Sequence, residues 1–423
     1  MVTKNKSLSV LIIAQNFPPD MGGQTIRAYN VAIGLLRNGC KVTVVTAVPH
    51  YPKGIIPPKY RWRPLVIENI KGLRVIRVFV PPLSSSTFIK RIILLLSFAA
   101  SSLLSIPFLG KVDIIWADNP SIGSLYIALP FSIVKSCPIV MSVDDLWPEP
   151  YYDLGINPKS FFARIAELLV KKAYTLAQAI TPTSPAYVEV INKKYGVKLE
   201  KIHVVEVGVD SDIFLRHQIL TKKQNKEKHK ILYIGSFTGG YDFEGVLNAA
   251  KLLSSNDDII FVLQGSGPMI DEVKKDVEKM GLKNVIIRDV IVSREEVART
   301  MMEADILLLP LRTGKYIQTA IPSKTYEYQA AGKPIIVYGC GETARYIHRH
   351  RLGIVIKPGD YIGLAQAILY LINNPEVAKN LGEFSKKYVK ENLTLDVIGK
   401  KMKNVLEYVL AYSHHRYKSN FHK

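Results

Sequence analysis

The chain has 423 residues, more than one hydrophobic core usually supports, so two or three domains are expected. Hydrophobic residues make up 48% of the chain and charged residues 22%, which excludes a largely disordered or collagen-like protein. The chain has 56 lysines and arginines against 36 aspartates and glutamates, and the net charge of +20 indicates an anionic partner such as phosphate, acidic lipid or nucleic acid. The cysteines Cys40, Cys137 and Cys340 are far apart, so neither a disulfide framework nor a zinc site is expected, and a reducing compartment fits.

The N-terminal residues combine a few lysines with a short apolar run, LSVLIIAQ. A secretory signal would have a longer apolar core followed by a small-residue cleavage site. The run is rich in β-branched residues and has the length of a buried strand. It therefore predicts the first strand of a domain, and we expect no export signal.

Apolar, β-branched runs alternate with helical patterns through most of the chain. The predicted strands are Ser9–Ala14, Lys41–Ala47, Val75–Val80, Asp113–Ala117, Ile139–Val143, Ala179–Pro182, Ile231–Gly235, Ile259–Gln264, Val285–Arg288, Ile306–Pro310, Ile335–Tyr338 and Ile354–Ile356. Helices are predicted between most of them, for example at Thr25–Asn38, Phe161–Leu176, Ile270–Met280 and Ser293–Ala304, and only helical pattern follows Asp360. This alternation predicts parallel sheets covered by helices on both faces.

A polar stretch at residues 217–230 interrupts the alternation and predicts an interdomain linker or exposed loop. It separates an N-terminal domain, residues 1–216, from a C-terminal domain, residues 231–390. Residues 391–423 predict a C-terminal helix, which can pack back on the N-terminal domain, and a basic tail. The predicted fold class is α/β, with two Rossmann-like, doubly wound parallel-sheet domains that face each other across a cleft and bind ligands at the carboxyl ends of their strands.

A second apolar stretch, residues 92–109, carries no charge and is flanked by Lys90, Arg91 and Lys111. Its length is at the lower limit for a membrane-spanning helix, and four serines and Pro107 dilute it. A strand-like segment follows at once, so we expect a helix packed within the domain. A helix lying on a membrane surface and a true span are the alternatives.

Glycines follow several of the predicted strands. They let the backbone come close to a phosphate, and the free N–H groups at a helix N-terminus favour an anion. The candidates for binding a phosphate-containing ligand are Gly22, Gly23, Gly235, Ser236, Gly265, Gly267, Gly341 and the adjacent Glu342. Plain turns are the alternative, and an NAD site is poorly supported because no acidic residue follows in a dinucleotide-binding context.

The segment PSKTYEYQAAGKPII, which begins at Pro322, is the most informative. Pro322 and Ser323 can start a helix, and Lys324 and Glu327 then share one face near its N-terminal end. A lysine there can neutralise a diphosphate, and a carboxylate can accept both hydroxyls of a ribose. An exposed i,i+3 ion pair is the alternative.

Acidic residues end two strands of the N-terminal half. These strand ends carry the candidates Asp118, Asn119, Asp144, Asp145 and Trp147. Carboxylates at a strand's carboxyl end are placed for catalysis or for binding sugar hydroxyls, and an adjacent tryptophan suits a sugar face. Turn or helix-capping aspartates beside a buried tryptophan are the alternative.

Taken in order, these motifs resemble those of the family-4 retaining glycosyltransferases of the GT-B fold, especially members that assemble surface polysaccharides and glycolipids. The resemblance covers nearly the whole chain. It rests on NFPPDMGGQTIRAYNVAIGLLRNGCKVTVVT, DDLWPE, KIHVVEVGVDSDIF, LYIGSF, LQGSGP, ADILLLPL and PSKTYEYQAAGKPII, of which the last is the most specific.

The resemblance implies a hexosyl- or N-acetylhexosaminyl-transferase whose second domain holds a nucleotide-sugar donor and whose first domain holds a lipid-linked or glycan acceptor. It implies retention at the anomeric carbon, with no metal and no other cofactor. By the match of motifs, Glu327 binds the donor ribose and Asp145 lies near the acceptor or donor sugar. The same match places Gly22 and Gly23 near the donor diphosphate, and Gly341 and Glu342 in the family's later GE turn.

The chain departs from the family pattern at two places that bear on the donor. Thr319 stands where the family often has a second glutamate that contacts the donor sugar, which leaves the sugar open. Ser236 and the residues after it replace the usual arginine and lysine. We therefore assign the diphosphate-neutralising role to Lys324, helped by the Gly22–Gly23 amides, with Arg312 and Lys315 in reserve. Assistance to the acceptor is assigned to the group Asp118, Asp144 and Asp145, without ranking them.

Two other functions remain as alternatives. A nucleotide-sugar epimerase has the same two-domain fold and needs no acceptor, but DDLWPE and the basic character favour transfer. A non-catalytic protein that binds anions or nucleic acid would be expected to show either an export signal or a basic stripe interleaved with aromatics, which only the tail YSHHRYKSNFHK suggests. We expect no nucleic-acid partner.

The positive charge is concentrated next to the apolar stretch. Residues 53–91 contain nine lysines and arginines and one acidic residue, Glu68. A basic patch beside an apolar helix is typical of a domain that rests on anionic lipid, and a solvated basic surface is the alternative. We therefore expect a cytoplasmic protein bound peripherally at the cytoplasmic membrane face.

Overall fold

The computed structural model describes residues 7–51, 53–84, 87–118, 121–218 and 228–420. The chain divides into two α/β units. Unit 1 comprises Met1–Tyr152, Ile156–Gly208 and Leu395–Lys423, and unit 2 comprises Asp153–Gly155 and Val209–Thr394. After unit 1, unit 2 begins at Val209, before the predicted linker at residues 217–230. The N–H of Val209 donates to the carbonyl of Leu393 of unit 2 at 2.8 Å. Within the predicted linker, residues 219–227 lie outside the described residues.

Unit 1 is built on a seven-stranded sheet. Its strands are β1 (Ser9–Ile13), β2 (Lys41–Ala47), β3 (Leu65–Ile70), β4 (Leu73–Val78), β5 (Ile114–Ala117), β6 (Ile139–Val143) and β7 (Ala179–Pro182). Its first six helices are α1 (Gly23–Arg37), α2 (Phe88–Ser102), α3 (Ser121–Lys135), α4 (Glu149–Asp153), α5 (Phe161–Leu176) and α6 (Pro185–Tyr195), and short 3-10 turns lie at Pro58–Tyr60, Leu103–Phe108 and Leu199–Lys201. The strand order is β3-β4-β2-β1-β5-β6-β7, so the order reverses between β1 and β5. Open α/β sheets bind ligands beyond the carboxyl ends of their strands at such a reversal.

Among the described residues, β3 is the one observed strand that the sequence pattern did not predict. It is half-buried and interrupted by Glu68 and Asn69, so it lacks the apolar run that marks the other strands. It pairs antiparallel with β4, whereas the other strand pairs of this sheet are parallel. The two-residue turn between them, Lys71–Gly72, has φ values of 50° and 90°, which is the geometry that tight hairpins favour. The twelve predicted strands all overlap observed ones.

Unit 2 is built on a six-stranded parallel sheet. Its elements are α7 (Ser211–Gln218), β8 (His229–Ser236), α8 (Phe243–Leu252), β9 (Ile259–Ser266), α9 (Ile270–Met280), β10 (Val285–Asp289), α10 (Arg294–Glu303), β11 (Ile306–Pro310), a 3-10 turn at Ile317–Thr319, α11 (Ser323–Ala331), β12 (Ile335–Tyr338), α12 (Glu342–Arg349), β13 (Ile354–Ile356), α13 (Tyr361–Asn373) and α14 (Pro375–Asn392). The strand order β10-β9-β8-β11-β12-β13 is that of a doubly wound nucleotide-binding sheet. It reverses between β8 and β11, and this reversal is where a ligand is expected.

The last helix, α15 (Leu395–Asn420), belongs to unit 1 and packs along α1. The two helices approach closely at Gly34 and Gly399. A Cβ on Gly34 would lie only 2.8 Å from the Cα of Gly399, so the contact requires a glycine there. Lys401 of α15 also forms an ion pair with Glu206 of unit 1, with 2.9 Å between Nζ and Oε2. The C-terminal segment of the chain is thereby fixed to the N-terminal sheet.

The apolar stretch near residue 100 forms α2 and the 3-10 turn that follows it. Leu94, Phe98 and Ser102 are buried, and α2 packs against β2, β4 and α3. The segment Phe88–Phe108 has the length and mean hydropathy, 1.8, of a membrane-crossing helix, and only 22% of its most apolar stretch is buried within the protein. The segment thus packs on unit 1 along one side and leaves an apolar face outside.

Candidate active site

The amine of Lys324 lies at the carboxyl end of β8, beside the reversal of strand order in unit 2. Lys324 is in the first turn of α11, which starts at Ser323, and its side chain reaches the backbone of Gly235 at the end of β8. Its Nζ donates to the hydroxyl of Tyr233 at 3.0 Å and lies 4.3 Å from the ring centre of Tyr233 and 4.1 Å from that of Tyr241. Because the Tyr233 hydroxyl donates its own proton to the carbonyl of Ser236, its lone pairs accept from the amine.

Lys324 is 9% exposed, which is unusual for a lysine. Burial lowers its pKa to about 7, and the charge of Glu327 opposes the shift. The two aromatic faces stabilise the protonated form. Near neutral pH the amine therefore exchanges between its charged and uncharged forms, and an anion placed beside it would favour the charged form.

Two glycines make the close approach at this sheet edge possible. Gly235 and Gly265 have φ values of 148° and 146°, which other residues rarely adopt. A Cβ on Gly235 would lie 2.1 Å from Nζ of Lys324, and a Cβ on Gly265 would lie 1.7 Å from the carbonyl oxygen of Gly235. Gly267 continues the turn after β9, and Ser236 is exposed at the end of β8. The edge beside the amine is thus lined by backbone.

Glu327 lies one helical turn after Lys324 on α11. Its carboxylate faces Arg294, with 4.0 Å between Oε1 and Nη2, and 15% of the Glu327 side chain is exposed. Burial raises the pKa of Glu327, while the positive charges of Arg294 and Lys324 oppose the rise. Sequence spacing did not identify Arg294. A signal was present, because Arg294 is the first residue of α10, where the helix dipole disfavours a cation.

The remaining donor-site candidates occupy neighbouring turns of unit 2. Gly341 precedes α12 with φ of 86°, and Glu342 begins that helix. The Glu342 carboxylate is buried and accepts from Arg345 on its own helix, with 2.7 Å between Oε2 and Nη2. Arg312 and Lys315 are exposed on the loop after β11. Of the three candidate cations, Lys324, Arg312 and Lys315, Lys324 is therefore the one that is buried at the end of the sheet.

Two of the acidic candidates in unit 1, Asp118 and Asp144, are held in the interior. The guanidinium of Arg27 on α1 has Nε 2.8 Å from Oδ1 of Asp144 and 3.9 Å from Oδ1 of Asp118. Burial raises the pKa of Asp144, and Arg27 opposes the rise. Arg27 is 1% exposed and also donates to Ser142 Oγ and to the carbonyls of Val205 and Thr181. These three charged side chains form one buried cluster that ties α1 to the ends of β5 and β6.

The other candidates in unit 1 are accessible to solvent. Asp145 is exposed directly after the buried cluster, and Trp147 is half-buried. Gly22 and Gly23 are exposed at the N-terminus of α1, where Gly22 has φ of 135°. Asn119 lies outside the described residues. Within the part of the chain that the structure describes, no group of three or more His, Cys, Asp or Glu side chains is arranged to hold a metal ion.

Two family models match successive parts of the chain. Residues 21–213 match the model described as Glycosyltransferase Family 4, and residues 217–388 match the model described as Glycosyl transferases group 1. Together the two ranges span most of the chain, in the order of units 1 and 2. The chain belongs to the family-4 glycosyltransferases. The resemblance and the enzyme class predicted from the motifs are confirmed.

Relatives of this glycosyltransferase are distant in sequence. A Bacillus subtilis (strain 168) protein named for teichuronic acid biosynthesis is 25% identical over 238 residues, which are 55% of this chain and 58% of the relative. An uncharacterised glycosyltransferase of Methanocaldococcus jannaschii is 22% identical over 417 residues, which are 94% of this chain and 97% of the relative.

Solved structures confirm the fold of the glycosyltransferase. Sucrose-phosphate synthase from Thermosynechococcus elongatus superposes with a TM-score of 0.74 at 17% identity, covering 96% of this chain and all of that one. HepE of Anabaena, solved in complex with UDP-glucose, gives a TM-score of 0.64 at 13% identity and covers 95% of this chain and all of that one. The predicted fold class of two parallel-sheet α/β domains is confirmed.

A further cluster of the glycosyltransferase, Asp20 with His50, was missed by the sequence analysis. Asp20 is 7% exposed and accepts the backbone N–H groups of His50 and Tyr51 at 3.0 and 3.1 Å. Burial raises the pKa of Asp20 to about 7, and the two N–H donors oppose the rise. The two residues are thirty positions apart, and only the parallel pairing of β1 with β2 brings the loops after them together. The cluster fixes the segment that leads into Gly22 and Gly23.

Proposed function

We propose that this glycosyltransferase transfers a sugar from a nucleotide-sugar donor to a lipid-linked or glycan acceptor, with retention at the anomeric carbon and without a bound metal. The observation that carries the proposal is the buried amine of Lys324 at the strand-order reversal of unit 2. It is supported by the fold neighbour HepE, which was solved with UDP-glucose, and by the relative named for teichuronic acid biosynthesis.

Unit 2 binds the donor in this proposal. The amine of Lys324 takes the negative charge of the diphosphate, and the strand-end backbone at Gly235 lets the phosphates come close. A lysine acts here as a compact cation on a nearly desolvated site, where its interaction with a phosphate is stronger than in water. Glu327, one turn further along α11, accepts hydrogen bonds from the ribose hydroxyls. Burial raises the pKa of Glu327, and the charge of Arg294, 4.0 Å away, favours the ionised form that this role needs.

The reaction breaks the bond between the anomeric carbon and the donor phosphate oxygen and forms a bond from that carbon to the acceptor oxygen. Negative charge grows on the leaving diphosphate, and the protonated amine of Lys324 stabilises it in the transition state. With retention, the acceptor hydroxyl approaches from the side of the leaving group. Its proton passes to the leaving phosphate oxygen, so no protein nucleophile is required.

Unit 1 binds the acceptor in this proposal. Of the three acidic candidates, Asp145 is assigned the acceptor role because it is exposed, whereas Asp118 and Asp144 are engaged by Arg27 in the interior. Trp147, two residues later, offers an aromatic face to a sugar ring.

The test is a donor screen with a polyprenyl-phosphate or polyprenyl-diphosphate acceptor. The wild type should release nucleoside diphosphate only when both substrates are present, and turnover of Lys324→Met should fall by about 10²–10³-fold, as when one transition-state donor is removed. Lys275→Met, on the exposed surface of α9, is the matched control and should keep full turnover. Full turnover by Lys324→Met would refute the diphosphate assignment, and epimerised free sugar without acceptor would refute transfer.

A further inference from the structure

Three helices of unit 1, α2, α3 and α5, form one layer on one face of its sheet. The crossovers from β4 to β5, from β5 to β6 and from β6 to β7 all step in the same direction along the sheet. Right-handed crossovers therefore place all three helices on the same face. In agreement, α2 packs against α3 and α3 packs against α5, where the Tyr126 hydroxyl donates to the carbonyl of Leu169 at 2.9 Å. We call these three helices the helical layer.

In α5 the buried face is mostly small residues, and most of the large apolar side chains face outward. The buried residues are Ala163, Ala166, Val170, Ala173 and Tyr174. The exposed large apolar residues are Phe161, Phe162, Ile165, Leu168, Leu169 and Leu176, and the two phenylalanines are 72% and 80% exposed. A helix that only covers a sheet turns its large apolar residues inward. The arrangement in α5 therefore calls for a second apolar environment on the outer side of the helical layer.

Helix α2 also leaves large apolar side chains exposed, although it buries two others. It buries Leu94 and Phe98 but exposes Phe88, Ile89 and Leu96 by 68%, 69% and 63%. With α5, the exposed apolar side chains amount to several hundred Å², since one phenylalanine alone offers ~150–250 Å². An apolar patch of that size on a soluble unit marks an interaction surface.

The charges on the helical layer are almost all positive. Its three helices carry the basic residues Lys90, Arg91, Lys135, Arg164, Lys171 and Lys172. Their one acidic residue, Glu167, is engaged by Lys194, with 2.6 Å between Oε1 and Nζ. In the basic stretch at residues 53–91, by contrast, Lys59 and Arg77 are both paired with Glu68. Four of the six basic residues of the helical layer lie outside residues 53–91, so the layer adds positive charge to that of the basic stretch.

We infer that the helical layer docks on an anionic lipid bilayer, with the outward side chains of α5 entering the interface and its flanking basic residues contacting the headgroups. Helical periodicity places Arg164 and Lys171 along one border of the stripe that contains Phe161, Ile165 and Leu168. A second copy of the chain is a poor occupant, because a symmetric dimer would bring two positive faces together. The inference rests on the proposed function only for the lipid-linked acceptor, since docking itself needs no donor.

The test uses the full chain and two kinds of vesicle, pure phosphatidylcholine and phosphatidylcholine with about one third phosphatidylglycerol. We expect the wild type to bind the anionic vesicles and to lose affinity as salt is added. The double variant Phe161→Ser, Phe162→Ser should bind at least tenfold more weakly at an unchanged Tm, because both side chains are exposed. The matched control is Phe384→Ser, which removes a phenylalanine that is 62% exposed on α14, and it should bind like the wild type.

Three results would overturn the inference: no binding of the wild type to anionic vesicles, equal binding by the double variant, or a wild-type dimer in solution that the double variant dissociates. Turnover with a water-soluble acceptor analogue separates this inference from the proposed function. The double variant should keep that turnover while losing vesicle binding. If the wild type bound vesicles but transferred no sugar, the proposed function would fail and the docking surface would stand.

Discussion

The two sheets reverse strand order in the same way, yet they treat the cation beside the reversal differently. In unit 1, Arg27 is buried against two carboxylates and three further hydrogen-bond acceptors. In unit 2, Lys324 is buried against two tyrosine rings and one hydroxyl, and the carboxylate one turn away faces Arg294. The charge of Arg27 is neutralised by the carboxylates of Asp118 and Asp144. The charge of Lys324 is stabilised by two tyrosine rings and a hydroxyl, which are themselves uncharged.

In our proposal this difference separates a structural charge, Arg27, from a charge that binds a ligand, Lys324. A buried cation with matched carboxylates contributes to holding elements together and offers little to an incoming anion. A buried amine whose pKa is lowered to about 7 gains most when an anion arrives, because the anion restores its charge. Topology alone makes both reversals candidate sites, and we propose unit 2 for the donor because its cation has no carboxylate among the described residues bound to it.

The largest effect is expected on breaking the cluster of unit 1. Arg27→Met leaves Asp118 and Asp144 buried without their cation, and we expect a loss of about 3–5 kcal/mol in the free energy of unfolding. Denaturant unfolding followed by circular dichroism measures it. Adding Asp144→Asn to Arg27→Met should recover part of the loss. A loss under about 1 kcal/mol would mean that Arg27 is not the structural partner of the two carboxylates.

The pH dependence of donor binding tests the other side of the comparison. In the free protein the Lys324 amine is protonated below about pH 7 and loses its proton above it. The affinity for a nucleoside diphosphate should therefore fall as pH rises, by up to about tenfold or 1.4 kcal/mol per pH unit. Calorimetry in buffers of different ionisation enthalpy should show proton uptake on binding at pH 8. A flat profile that matches that of Lys324→Met would refute the assignment.

The stability of Lys324→Met should move in the direction opposite to that of Arg27→Met. Methionine has a similar length, fits between the rings of Tyr233 and Tyr241, and removes the cost of burying an amine. We expect the free energy of unfolding to rise by roughly 1 kcal/mol, as is common when a functional site is replaced by an apolar one. The increase should be larger at pH 6 than at pH 9, because the amine is charged at the lower pH. If Lys324→Met were less stable than the wild type at pH 6, Lys324 would contribute to the stability of the fold.

The sequence predicted what depends on local pattern and on motif order. The alternation of strands and helices predicted both sheets, and PSKTYEYQAAGKPII placed Lys324 and Glu327 on one helix face. Contacts between residues far apart in the chain were not predictable. Nothing near Arg27 indicates that Asp118 and Asp144 lie beside it, because they follow strands that only the sheet brings together. For the same reason, the sequence did not rank the three aspartates.

Asp153 provides the smallest and most local test of the donor side. Its Oδ2 accepts the backbone N–H groups of Tyr316 and Ile317 at 2.6 and 2.8 Å, which fixes the loop that runs from β11 to Thr319, where the family often has its sugar-binding glutamate. Asp153→Ala removes two charge-assisted hydrogen bonds, and loosening the loop should raise the KM for the donor about fivefold, or about 1 kcal/mol. Asp153→Asn keeps an acceptor oxygen and should give a smaller rise. A fall in kcat with unchanged KM would instead place the loop in the chemical step, because it would mean that the donor is bound equally well but reacts more slowly.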